Sequence, residues 1–158
     1  MNSNLRRPLL VLAVAFVAAL TPLEAKAMHC STAETAGNWA YTYTGTIFTQ
    51  SGALPGASVG RYHQDAEGNI VGSQVRSVAG DAAAEDIAGT LTVYEDCTGS
   101  ATVNVYVNGQ LQRTAVIALV FDKNLNHARY IFQSLKLPDG TNVPVVITID
   151  GNRVTTQH

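Results

Sequence analysis

The chain has 158 residues, of which 46% are hydrophobic and 14% charged, with a formal net charge of -2. The length suits one domain with or without a processed segment. The hydrophobicity excludes a disordered chain. Two cysteines exclude a disulfide-dense miniprotein, and the absence of a positive field excludes a nucleic-acid binder that works by charge.

The first 27 residues differ from the rest. Arg6 and Arg7 precede an uncharged apolar run at 8–20, and Ala25-Lys26-Ala27 follows with small residues at the -3 and -1 positions of a cleavage site. This order is that of a secretory signal peptide. The run is too short for a membrane-spanning helix, which needs about 20 apolar residues. Arg6-Arg7 also permits a twin-arginine reading, but the strong apolar run favours general secretion. Cleavage would leave residues 28–158 as a single exported domain, periplasmic or extracellular, with no membrane segment. That domain carries 7 basic and 11 acidic residues, against 10 and 12 in the whole chain, and is net -4.

Beyond residue 37 the pattern alternates with the period of a strand. Segment 38–49 is rich in aromatic and β-branched residues, and Trp39, Tyr41, Tyr43, Gly45 and Ile47 share one face. Further strands are predicted at 57–65, 70–79, 87–95, 101–107, 110–121, 128–137 and 143–149, with a short last piece at 153–157. Glu67-Gly68-Asn69, Asn108-Gly109, Asp139-Gly140 and Asp150-Gly151 are turn signals, because Gly and Asn tolerate positive φ. Segment 81–86 (DAAAED) is the one helix-like stretch, of one or two turns.

Eight or nine antiparallel strands fit an up-and-down barrel or a β-sandwich. Greek-key sandwiches need long crossovers and the connections here are short, so the barrel is preferred. Its alternation of ends places the turns at 65–69, 95–99, 122–127 and 150–151 together at the bottom. Residues 50–56, 80–86, 108–109 and 138–141 lie at the top. Cys30 and Cys97 then fall at the same end and are expected to pair, as two cysteines of an exported protein usually do. The alternatives are free thiols, or a metal site with His29, although one Cys–His pair supplies too few ligands for structural zinc.

Gly37-Asn38-Trp39 opens the first strand and Arg153 opens the last piece. These residues resemble the Gly-x-Trp and last-strand Arg of lipocalins and the wider calycin group, in which the Arg lies over the Trp. A cation–π contact gives that pairing a physical basis. Segment 89–99 (GTLTVYEDCTG) is similar to a strand-and-turn motif of secreted bacterial calycin-like proteins. The resemblance implies a lipocalin-like cup around a small hydrophobic molecule. Physically, eight-stranded barrels either fill with side chains or hold one small ligand. Trp39, Tyr41, Tyr43, Leu91, Val93, Leu111, Ile117, Phe121, Tyr130, Phe132, Val145 and Ile147 are the candidates to fill or line the interior. Small residues (Gly45, Gly60, Gly72, Ala101, Ala115, Ala118) would leave space there or let the sheet curl.

Arg61, His63 and Asp65 share a strand face, so a His beside a carboxylate could act as acid or base. The same three suit a solvated outer face. Arg76, with face-mates Gln74 and Val78, either grips an anion inside or snorkels outside. Among six tyrosines, Tyr41 and Tyr43 have the best claim to orient a ligand, because they share the face of Trp39. The candidate ligand-binding set is therefore Tyr41, Tyr43, Arg76, Phe121, Tyr130 and Phe132. Arg61, His63, Arg76 and Tyr43 are the candidates for chemistry. Glu85-Asp86 and Glu95-Asp96 fit either a Ca²⁺ site or solvated loop charge, and the latter is preferred. No G-x-S-x-G, H-E-x-x-H or phosphate-binding loop occurs, and no cofactor or metal is expected. Three functions remain: an exported binder of a small hydrophobic molecule, a barrel cyclase or isomerase, and a filled interaction barrel with an apolar tip at Leu54-Pro55. Oligomeric state is unassigned.

Overall fold

The computed structural model describes residues 29–154. The expected signal peptide and most of the expected last piece at 153–157 lie outside them. Eight strands run β1 (Gly37–Thr49), β2 (Gly52–Gln64), β3 (Asn69–Val78), β4 (Asp81–Val93), β5 (Thr98–Val107), β6 (Gln110–Phe121), β7 (His127–Lys136) and β8 (Val145–Arg153). Each pairs antiparallel with the next and β8 closes on β1, giving an up-and-down barrel with no sheet edge left open.

Alternation decides which side chains enter. On β1, Trp39, Tyr41 and Tyr43 are buried and Asn38, Thr42 and Thr44 are exposed. Asn108 (φ 50°) and Gly109 (φ 75°) both adopt positive φ, which the tight turn between β5 and β6 demands. Residues 50–51 and 79–80 connect β1 to β2 and β3 to β4 equally tightly. The β7–β8 connection at 137–144 is longer. The β7–β8 ladder stops at Ile131–Thr148, so these strands part near the top of the barrel.

Five expectations are corrected. Segment 81–86 is strand, not helix: Ala82 pairs with Ser77 and Ala84 with Val75, and the β3 ladder overrides the helical preference of alanine. Leu54 and Pro55 are not a loop tip, because β2 already begins at Gly52 and Leu54 lies opposite Ile47. Asp150-Gly151 is not a turn. Both residues continue β8, and Gly151 leaves room for the Tyr130 ring, which a Cβ there would approach to 2.9 Å. Leu111 faces outward rather than inward. A bulge beside Val105 and Tyr106 shifts the β5–β6 register, so that Leu111 sits opposite the outer residue Tyr106. Ala118 likewise alternates with inward Ile117 and Leu119 and belongs to the outer face.

The bottom is sealed by the segment before β1. Cys30 is disulfide-bonded to Cys97 in the β4–β5 turn, which rules out the free-thiol and metal alternatives. Residues 32–35 turn across the opening. Trp39 Nε1 donates to the Thr35 carbonyl, and the Gln64 amide donates to Thr32 O and Thr35 Oγ1. Arg153 lies over the Trp39 ring at 5.6 Å and donates through Nη2 to the carbonyls of Glu34 and Ala36. One side chain thus holds the plug and covers the indole.

Candidate functional site: the barrel interior

Above the plug the interior is layered. Trp39 stacks on Tyr62 with ring centroids 6.3 Å apart and meets Phe121 edge-on at 5.5 Å. The Tyr62 and Tyr130 hydroxyls share a hydrogen bond of 2.8 Å. Over this floor lies a cavity of about 300 Å³, at the small end of the range for ligand sites. Tyr41, Tyr43 and Phe132 give it aromatic wall, and Ile70, Ile87, Leu91, Val103, Ile117 and Ile147 give it aliphatic wall. Ala101 and Ala115 line it as well, and the space they leave is part of the cavity.

One part of the wall is charged. Glu85, only 3% exposed, projects inward from β4. Its carboxylate accepts from Arg76 Nε at 2.6 Å, Gln74 Nε2 at 2.7 Å and both terminal nitrogens of Arg113. The Gln74 Oε1 in turn accepts from the Tyr41 hydroxyl at 2.7 Å and from Ser58 at 3.3 Å. Burial works against the Glu85 charge, but the bonds from Arg113 and Gln74 and the charge of Arg113 outweigh it, and its pKa is held below the ordinary carboxylate value. Burial drives the phenols the other way. Tyr41 and Tyr43 are raised, and Tyr130 is pushed up to about 12.

Of the residues singled out in the sequence, Tyr41, Tyr43, Arg76, Tyr130 and Phe132 converge on the cavity. Phe121 does not line it, because it packs on Trp39 below the floor. Arg61 and His63 are exposed on the outer face, where His63 Nδ1 meets Asn38 Oδ1 at 3.2 Å. Asp65 holds its own turn by accepting from Asn69. These three therefore stand apart from Arg76 and Tyr43. Asp96 accepts from Thr98 in the β4–β5 turn, and no group of three or more His, Cys, Asp or Glu among the described residues could hold a metal.

Glu85 and Arg113 are the functional candidates that sequence reasoning passed over. In the sequence, Glu85 reads with Asp86 as solvated loop charge or a Ca²⁺ site. As strand, it shares its face with Ile87, Leu91 and Val93, and that parity points it inward. Arg113 shares the face of Ala115, Ile117 and Leu119 in the same way.

No family model matches the chain, and no curated protein matches it. Among solved structures, the chain is similar to the S-type phycobiliprotein lyase CPES from Guillardia theta, with 11% identity and a TM-score of 0.41 over 78% of this chain and 91% of that one.

Proposed function

We propose that this barrel is an exported binding protein that takes one small, largely hydrophobic molecule into its interior. The observation that carries the reading is the cavity itself, about 300 Å³ of mostly apolar wall with a few polar groups converging on one side. That combination is the general form of a small-molecule site. The titratable groups that line it or bond to its lining favour holding over proton transfer. Glu85 is kept ionised by its partners while Tyr41 and Tyr43 are kept neutral, so none is poised near neutrality. The Cys30–Cys97 bond supports an oxidising compartment.

Titration with the neutral, environment-sensitive dye N-phenyl-1-naphthylamine tests this reading. Saturable binding at one site is expected. Ala115→Phe, which fills the cavity from a position 2% exposed, is expected to weaken it at least tenfold without loss of β-sheet circular dichroism. A wild-type protein that leaves the dye unchanged overturns the proposal. Native mass spectrometry of protein from its own producer would identify a retained molecule directly.

A further inference from the structure

The charges of the cavity wall do not cancel. Two guanidiniums, Arg76 and Arg113, line the cavity, and the carboxylate they meet, Glu85, does not itself line it, nor does any other acidic side chain among the described residues. Arg113 spends both terminal nitrogens on the two oxygens of Glu85. Arg76 engages Glu85 through Nε alone, and its two terminal nitrogens have no partner among the described residues. Glu85 has no capacity left for them. It already accepts four hydrogen bonds, about as many as a carboxylate has lone-pair sites.

Arg76 is therefore a half-satisfied cation. Its side chain is 22% exposed, and it belongs to the wall of a mostly apolar cavity. It stands two residues before the end of β3, toward the top turn at 79–80 and away from the Tyr62–Tyr130 floor. The outer edge of a guanidinium presents parallel N–H donors that match the two oxygens of a carboxylate. A low-dielectric surround strengthens such a contact.

Resting on the binding reading above, we infer that the ligand is an apolar carboxylic acid whose carboxylate docks on the terminal nitrogens of Arg76. Its hydrocarbon body lies below, against the aromatic and aliphatic wall that includes Tyr43, Phe132 and Ile147.

Three molecules of equal chain length and different head separate this inference from the broader one: octanoate, 1-octanol and octylamine, each used to displace N-phenyl-1-naphthylamine. Octanoate is expected to displace the dye at a concentration at least tenfold lower than 1-octanol, and octylamine to be weakest. In Arg76→Met the advantage of octanoate over 1-octanol is expected to fall below threefold, the ratio being read within the variant whatever its absolute affinity for the dye. Glu85 keeps Arg113 and Gln74 in that variant, and Arg76→Gln repeats the test should Met disturb folding. Dye binding with equal affinity for acid and alcohol overturns the carboxylate assignment and leaves the binding function standing. A preference that survives both substitutions places the anion elsewhere and also overturns it. Loss of dye binding in the wild type overturns both readings.

Discussion

Arg113 and Glu85, 28 residues apart in sequence, meet inside the barrel in a two-point contact between guanidinium and carboxylate. The Glu85 side chain is fully buried while that of Arg113 is 18% exposed. Such a pair adds little net stability when whole, because desolvation offsets attraction, but breaking it from one side strands a charge.

Glu85→Leu is accordingly expected to destabilise the barrel by roughly 3–5 kcal/mol, since it leaves Arg76 and Arg113 facing each other without a counter-charge. The triple substitution Glu85→Leu, Arg76→Met, Arg113→Met is expected to recover most of that loss. Urea unfolding monitored by Trp39 fluorescence measures both, and a Glu85→Leu protein as stable as wild type would refute the pair's structural role.

Stability is expected to be a dome in pH. The Glu85 pKa is lowered in the folded state, so its contribution is present above the unfolded carboxylate value, about 4.3, and is lost as pH falls through the folded value. Asp65 and Asp150, lowered by hydrogen bonds from Asn69 and His127, act in the same direction but are solvent-screened. The tyrosines set the other limit. Burial raises Tyr130 to about 12 and raises Tyr41 and Tyr62 as well, so their contribution is full below the unfolded value of about 10. It is lost as pH rises from there through the folded values. Melting temperatures across the range test both limbs, and the double variant Tyr62→Phe, Tyr130→Phe should flatten only the alkaline one.

Reduction of Cys30–Cys97, or Cys97→Ser, is expected to lower stability by about 4 kcal/mol on the chain-entropy view, for a bridge spanning 67 residues. The bridge ties the bottom segment to the β4–β5 turn, beside Trp39. A red shift of Trp39 emission should therefore precede loss of the barrel's circular dichroism. Coincident transitions would mean that the plug and barrel unfold as one unit.

Much of the fold was legible because local chemistry and tertiary structure agree. The alternation of Trp39, Tyr41 and Tyr43 marks both a strand and its inner face. Asn108-Gly109 specifies a turn in any context, and counting ends brought Cys30 to Cys97. The site was less legible, because its charged part lies where local signals mislead. Three alanines disguise the strand that carries Glu85, and only pairing with β3 settles it. Arg76 had a mixed face on both sides, so parity alone left it open. Gly151 resembles a turn glycine, although what it accommodates is an aromatic ring from β7. The volume of a cavity is a residue of packing in three dimensions, which no single strand encodes.

Export makes a prediction independent of the barrel. The Arg6-Arg7, apolar-run and Ala25-Lys26-Ala27 order is expected to direct cleavage after Ala27. Intact-mass measurement of protein recovered outside the cytoplasm should show a chain beginning at Met28. A full-length mass there, or protein confined to the cytoplasm, would contradict the export reading.

Gly151 tests whether the cavity floor is as rigid as its contacts suggest. A Cβ at this position would stand 2.9 Å from Tyr130 Cε2 and 3.1 Å from its hydroxyl. Tyr130 is 7% exposed and bound to Tyr62, itself stacked on Trp39, so the ring has little room to yield. Overpacking of this kind costs about 1–3 kcal/mol. Gly151→Ala is expected to lose stability in that range and to move Tyr130 upward, weakening dye binding as the floor intrudes on the cavity. Tyr130→Phe in the Gly151→Ala background removes the hydroxyl contact at 3.1 Å and should restore part of both. If Gly151→Ala leaves stability and dye affinity unchanged, the floor is softer than its hydrogen bond implies, and the cavity can deepen toward Trp39 to admit a longer ligand.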